Sequence, residues 1–141
     1  MQIGVDSQRA VENRRIFVLD RNEINSLGLQ FILADENETH VMPDLEAACA
    51  RAVAWPPDLV LLGLDFIAQD AAGVIARILS AMSRPKILLV CAHSDEPGVR
   101  EALAAGAHGT LKAPPTIEGA RRRVDVALGR AAPLGIPVIP V

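Results

Sequence analysis

Three short runs of almost uninterrupted aliphatic residues constrain the fold of this chain more than any other feature. They lie at residues 16–19, 59–62 and 87–91, and each has the length of a β-strand. A strand that faces water on one side alternates apolar and polar residues, whereas a strand covered on both faces of a parallel sheet is apolar throughout. The three runs therefore predict central strands of a parallel sheet with helices on both faces.

Weaker strand patterns at residues 39–42 and 109–112, together with five helical stretches, complete the order of elements. The helical stretches lie at residues 22–34, 45–54, 71–82, 96–105 and 117–129. Three of them begin after an N-cap residue, Asp44, Asp70 or Thr116, and Gly106 ends the fourth. Strand and helix alternate five times, which predicts an α/β fold. At this size the most common topology is the flavodoxin-like (βα)5 three-layer sandwich, with the parallel sheet order 2-1-3-4-5.

Residues 14–130 of the 141 form one predicted domain, between an N-terminal extension at 1–13 and a Pro-rich tail at 131–141 that should be extended.

Composition and charge exclude several classes of protein. The net charge of −3 predicts no binding to nucleic acid or to an anionic membrane. The sequence MQIGVDSQRAVENRR lacks the apolar core of a signal peptide, so we expect a cytoplasmic protein. The spacing of Cys49 and Cys91 indicates neither a metal site nor a disulfide.

Four phrases, IFVLD, PDLVLLGLDF, KILLVCAHSD and AAGAHGTLKAP, carry a resemblance to a known family. Over residues 14–130 the chain resembles the receiver domains of bacterial response regulators. Its first helix, NEINSLGLQFIL, is most similar to receivers that precede a helix-turn-helix domain. The resemblance implies a module of two-component signal transduction that has protein partners and is not an enzyme.

In the receiver family, two acidic residues and an acceptor aspartate hold Mg²⁺, and a Ser or Thr and a Lys bind the phosphoryl oxygens. Only the first acid remains in this chain, because the five matching positions hold Asp20, Arg21, Gly63, Cys91 and Ala113. The resemblance therefore implies a degenerate phosphorylation pocket, without a cofactor and without a resident metal.

Gly63 decides this interpretation, because glycine has no side chain that could accept a phosphoryl group. Lys112 comes one residue too early to replace the missing lysine, since neighbouring residues of a strand point to opposite faces. Thr110 stands where the family usually has a switch aromatic. Arg21 could place a built-in cation near the former metal site, or it could point to solvent.

Other residues near the strand ends leave alternatives open. Asp65 lies two residues after Gly63, so Asp20 and Asp65 are weak candidates for a cation site, and Asp65 is a weaker candidate for a substitute acceptor. We expect His93 and His108 to be surface or loop residues, because no third ligand for a metal is evident.

Two surfaces are candidates for partner binding. The family's register leaves Leu27 and Phe31 of the first helix facing outward, where receivers commonly bind histidine kinases or phosphotransfer proteins. On the fifth helix, Val126 and Arg122 lie opposite the predicted core stripe. Because receivers often dimerise through helix 4, strand 5 and helix 5, this face is a candidate homodimer interface. The alternatives are a solvated helix 5 face and a first helix covered by the chain's own tail.

These observations together predict an atypical receiver that acts through phosphorylation-independent interaction with a kinase, phosphotransfer or regulatory protein. Three alternatives remain at this stage. They are a conventional phosphorelay receiver that uses Asp65, a small-molecule sensor that uses the vacated pocket, and a fragment of a DNA-binding response regulator.

Overall fold

The computed structural model describes residues 14–130, so the predicted N-terminal extension and Pro-rich tail lie outside the described part of the chain. Five parallel strands form one sheet in the order β2-β1-β3-β4-β5, which confirms the predicted topology. The strand bounds agree with the aliphatic runs to within one residue: β1 is Arg15–Leu19, β2 Glu38–Val41, β3 Leu59–Gly63, β4 Lys86–Cys91 and β5 Gly109–Lys112.

A helix follows each of the five strands, and the predicted caps are present. The side chains of Asp44, Asp70 and Thr116 each accept a hydrogen bond from a backbone N–H in the first turn that follows. The helix bounds are α1 Glu23–Leu33, α2 Leu45–Ala54, α3 Ala71–Ala81, α4 Val99–Ala105 and α5 Ile117–Ala127, and a 3-10 turn at Leu64–Phe66 follows β3. No helix within residues 14–130 is long and apolar enough to cross a membrane.

The fourth helix begins three residues later than predicted. The Glu96 carboxylate accepts a hydrogen bond from the His93 N–H at 2.9 Å, so the predicted first turn is a loop instead. Gly98, directly before α4, has a φ of +90°, a left-handed conformation that favours glycine. The loop therefore extends to Gly98, and α4 is only seven residues long.

Alternating strand residues divide the core between the two faces of the sheet. Phe17 and Leu19 pack with residues of α2, α3 and α4, whereas Ile16 and Val18 pack with residues of α1 and α5. All four of these strand side chains are fully buried. The sheet is therefore the middle layer of a three-layer sandwich, as the sequence predicts.

On one face of the sheet, α5 lies beside α1, and the first half of α5 contacts the end of α1. The Arg121 guanidinium donates to the Ile32 carbonyl and to the Asp35 carboxylate, each at 3.4 Å. Beyond α5, Gly129 has a φ of +78°. The Gly129 N–H donates to the Val126 carbonyl at 3.1 Å, and the Arg130 N–H donates to the Asp125 carbonyl at 2.7 Å. These two bonds form a Schellman motif, which ends the helix.

Candidate functional site

Asp20 and Gly63 meet at the carboxyl edge of the sheet, where α/β proteins of this type usually place their sites. Asp20 directly follows β1, and Gly63 ends the neighbouring strand β3. A Cβ atom built on Gly63 would lie 2.8 Å from both Cγ and Oδ1 of Asp20, and 3.2 Å from its Cα. The Asp20 carboxylate thus occupies the space into which a side chain at position 63 would project.

Two hydrogen bonds hold the Asp20 carboxylate in this position. Oδ1 accepts from the Asn22 N–H at 2.9 Å, and Oδ2 accepts from the Asn25 side-chain amide at 3.1 Å. Burial raises the pKa of Asp20 and the nearby Asp65 carboxylate adds to this, while the two hydrogen bonds partly oppose the rise. The Asp20 carboxylate is partly buried and has lost part of its contact with water. Each of its two oxygens instead accepts a hydrogen bond from the protein.

Cys91 and Ala113 complete one wall of a cleft of about 390 Å³ next to Asp20. The Cys91 thiol is buried, and both this burial and the negative charge of Glu96 raise its pKa. A thiol with a raised pKa is a poor nucleophile. Ala113 contributes only a methyl group, so this wall carries no positive charge. The cleft is lined by Asp20, Asn22, Ile24, Asn25, Leu64, Asp65, Val90, Cys91, Ala92, Glu96, Ala113 and Pro114.

Lys112 does not replace the missing lysine. It is exposed, and it lines a separate depression together with Thr110 and the loop after β4. This placement follows from the strand geometry, because adjacent residues of β5 point to opposite faces. Thr110, at the position where the family usually has an aromatic, is half-buried.

The sequence leaves open whether Arg21 places a cation near the former metal site or points to solvent, and the structure places it in a depression that it shares with Asp65. The Arg21 guanidinium lies over the Phe66 ring, 4.4 Å from its centroid, and the cleft beside Asp20 does not include Arg21. Arg21 is exposed, but it does not simply point to solvent either, because the ring attracts the cation.

The residues present do not fit a bound Mg²⁺. Within residues 14–130 no group of three His, Cys, Asp or Glu side chains could hold a metal ion. Asp20 and Asp65 are close enough for the charge of Asp65 to raise the pKa of Asp20, but two carboxylates alone supply too few ligands. Mg²⁺ requires nearly octahedral oxygen ligands, and Gly63 contributes no side-chain oxygen. The Asp20–Asp65 pair is therefore a poor cation site.

The two histidines near the strand ends differ in their roles. His93 is exposed, as expected for a loop residue. His108 is also an exposed loop residue, as expected, and it joins β4 to the turn before β5. Its imidazole Nδ1 accepts a hydrogen bond from the Ile87 backbone N–H at 3.0 Å, and the His108 backbone N–H donates to the Ile87 carbonyl at 2.8 Å. Burial and the nearby positive charges of Lys86 and Arg84 lower the pKa of His108. The sequence offered no signal for this structural role.

One helix face presents large apolar side chains to solvent. Ile24, Leu27 and Phe31 are 76%, 59% and 78% exposed and lie along one side of α1; we call these three residues the α1 stripe. Leu29 and Ile32 on the opposite side are buried in the core. Leu27 and Phe31 therefore face outward, as the family's register implies.

Val126 is less available than the sequence suggests. It is half-buried, and it lines a cleft together with the end of α5, the loop between α3 and β4 and the start of β4. Arg122 is exposed. The helical periodicity correctly placed Val126 outside the core, but it could not show that Val126 and the loop before β4 line the same cleft.

Comparisons with known proteins identify the fold. No protein-family model and no curated protein matches the chain. A response regulator from Thermotoga maritima is similar in structure, with a TM-score of 0.73 at 19% identity, covering 83% of this chain and 98% of that one. A response regulator from Chloroflexus aurantiacus gives a TM-score of 0.72 at 19% identity, covering 84% and 100%.

A third similar structure is the receiver domain of a sensor histidine kinase from Pseudomonas aeruginosa, which has a magnesium ion coordinated in its active-site cleft. Its TM-score is 0.69 at 18% identity, with coverage of 83% and 98%. At sequence identities this low, the structural similarity establishes the fold of the chain but not its chemistry. The chain has the fold of the response-regulator receiver domains.

Proposed function

We propose that this chain is a receiver-like signalling module that binds partner proteins and takes up no phosphoryl group. The observation that carries the proposal is the contact between Gly63 and Asp20. Glycine offers no oxygen to phosphorylate, and the Asp20 carboxylate fills the space where an acceptor side chain would begin. A phosphoryl group would therefore find no nucleophile at this position.

The other substitutions agree with this interpretation. Phosphoryl transfer requires cationic groups that neutralise the charge of the transferred group. Ala113 provides no ammonium group, Arg21 is held over Phe66, and Lys112 lies outside the cleft. A buried lysine at position 113 would be costly without an acceptor carboxylate at position 63 to pair with. The loss of the acceptor aspartate therefore favours the loss of the lysine.

The α1 stripe is the surface that best supports partner binding. Three large apolar side chains exposed on one helix face are typical of helix-to-helix recognition. The resemblance to receivers suggests a histidine kinase, a phosphotransfer protein or another regulatory protein as the partner. A two-fold homodimer through α4, β5 and α5 is a second proposal, supported by exposed Leu103 on α4 and exposed Arg122 on α5.

Incubation with Mg²⁺ and acetyl phosphate, or with beryllofluoride, tests the proposed function. We expect no mass adduct and no amide shifts clustered at the ends of β1, β3 and β4. A conventional receiver treated in parallel shows that the phosphodonor is active. A stoichiometric adduct would refute the proposal, and an adduct mapped to Asp65 would support the conventional phosphorelay alternative.

A further inference from the structure

We propose that a cleft at the amino edge of the sheet binds a phosphate monoester with a small apolar body. The cleft has a volume of about 410 Å³ and lies between the end of α5, the loop between α3 and β4, and the start of β4. This volume suits a small organic molecule. Asp20 and Gly63 lie at the opposite, carboxyl edge of the sheet, so the cleft is a separate site and does not depend on the proposed function.

Positive charge dominates the polar wall of this cleft. Among the described residues that line it, three are cations: Arg14, Arg84 and Lys86. The one carboxylate in this set is Asp58, so three cations against one carboxylate leave a net charge of +2. After burial, the charges of Lys86 and Arg84 are what lowers the pKa of His108, so both cations act on the same neighbour. In a chain with a net charge of −3, this edge of the sheet therefore attracts anions.

Two of the three cations have no anionic partner in the described part of the chain. Arg84 and Lys86 are exposed, and within residues 14–130 neither side chain forms an ion pair. The Asp58 carboxylate accepts a hydrogen bond from the Arg15 backbone N–H at 2.8 Å instead. Both cations are therefore available to a ligand.

The backbone around Arg84 is strained in a way that glycine would relieve. Ser83 and Arg84 have φ values of +65° and +54°, a region that residues with a Cβ rarely adopt. One left-handed residue, Ser83, suffices to end α3 through the bond from the Arg84 N–H to the Leu79 carbonyl at 2.9 Å. The left-handed conformation of Arg84 is therefore additional strain, and strain of this kind is typical of functional sites. An arginine held there suggests that its guanidinium is used.

The charges and the opposite wall select the class of ligand. A phosphate monoester carries about two negative charges at neutral pH, which matches the net charge of the lining, whereas a carboxylate carries only one. A guanidinium can bind two phosphate oxygens at once. The wall formed by the end of α5 is apolar and consists of Val126, Ala127 and Leu128. An ester with an aliphatic body can contact this wall, and inorganic phosphate cannot.

Calorimetric titration of the full chain with hexyl phosphate, inorganic phosphate and hexanoate tests the proposal. We expect hexyl phosphate to bind about tenfold more tightly than either of the others, because only it combines the double charge with an apolar body. Its amide NMR shifts should cluster at residues 83–86 and 126–129. No saturable binding of hexyl phosphate at millimolar concentration would overturn the proposal. Equal affinity for inorganic phosphate or for hexanoate would overturn the assigned ligand class.

Two variants and a matched control place the binding in this cleft. Arg84→Gly and Lys86→Gln should each weaken the binding of hexyl phosphate about tenfold, because each removes one cation. Arg84→Gly should also keep or raise the urea midpoint, since glycine adopts a positive φ without strain, so unfolding cannot explain its weaker binding. Arg100→Gln removes the same charge from an exposed position in the first turn of α4 and should leave the affinity unchanged.

Wild-type affinity in both Arg84→Gly and Lys86→Gln would overturn the proposal, because the ligand would then bind elsewhere. An equal loss of affinity in Arg100→Gln would also overturn it, because the binding would then depend only on the overall charge of the protein.

Discussion

Replacing Gly63 by alanine provides a test of the site in which two effects predict opposite signs. Gly63 has a φ of −72° and a ψ of 152°, an extended conformation that alanine adopts without strain. At such positions a Gly→Ala change usually stabilises a protein by about 0.4–1 kcal/mol, because it restricts the unfolded chain. If the backbone alone mattered, the variant would be more stable than the wild type.

The contact with Asp20 predicts the reverse. The new Cβ would lie 2.8 Å from the Asp20 carboxylate, closer than carbon and oxygen can approach, so the carboxylate must move. Movement breaks its bonds to the Asn22 N–H and the Asn25 amide. Overpacking of this kind costs about 1–3 kcal/mol, and bonds to a charged group contribute on the same order. We expect a net loss of about 1–2 kcal/mol in the free energy of unfolding.

The double-mutant cycle with Asp20→Ala isolates this contact. Without the carboxylate, only the Asp20 Cα remains close, at 3.2 Å, and Gly63→Ala should then be neutral or stabilising. Urea unfolding of the four proteins, followed by circular dichroism, should give a coupling energy of about 1.5–3 kcal/mol. If Gly63→Ala stabilises the wild type, or has the same effect in both backgrounds, Asp20 does not occupy the acceptor position.

Three further predictions concern pH dependence and assembly. Because the folded protein raises the pKa of Asp20, its stabilising contribution is present below about pH 3.8 and is lost as pH rises through the raised value. Asp20→Asn should therefore gain free energy of unfolding relative to wild type as pH increases from about 3 to about 6; a constant difference would contradict this. Because the folded protein lowers the pKa of His108, its contribution is present above about pH 6.5 and is lost as pH falls through the lowered value. His108→Gln should remove this loss in urea unfolding between about pH 7.5 and about pH 5, and an unchanged pH profile would refute the assignment. For the proposed dimer through α4, β5 and α5, sedimentation at equal concentration should show a wild-type dimer and a Val126→Asp monomer, and a monomeric wild type would exclude that interface.

The fold was predictable because each level of the sequence pattern points to the same structure. The aliphatic run at residues 59–62 is apolar at every position because β3 lies between two strands and under helices on both faces. The caps at Asp44, Asp70 and Thr116 were predictable because their hydrogen bonds are local, each formed with a residue three positions later. Local bonds and periodic burial leave a signal in sequence.

The arrangement of the site was less predictable, because its contacts join distant parts of the chain. The resemblance to receivers pointed to Asp20 and Gly63 as site positions, but it did not show that the Asp20 carboxylate fills the space next to Gly63. Arg21 lies over Phe66, and the loop before β4 lines the same cleft as Val126, and no periodicity in the sequence reveals either arrangement. For His108, the bonded partner Ile87 lies 21 residues away.

The hydrogen bonds to Asp20 have a consequence for how this domain could carry information. A two-state switch responds to an effector only as far as the effector binds one state better than the other. At the sheet edge, the carboxylate that an incoming group would displace is already held by Asn22 and Asn25. Under the proposed function, an effector would have to displace these hydrogen bonds, so it would gain little differential affinity at the sheet edge. The proposed function therefore implies that a variable input acts elsewhere in the domain, for example at the α1 stripe.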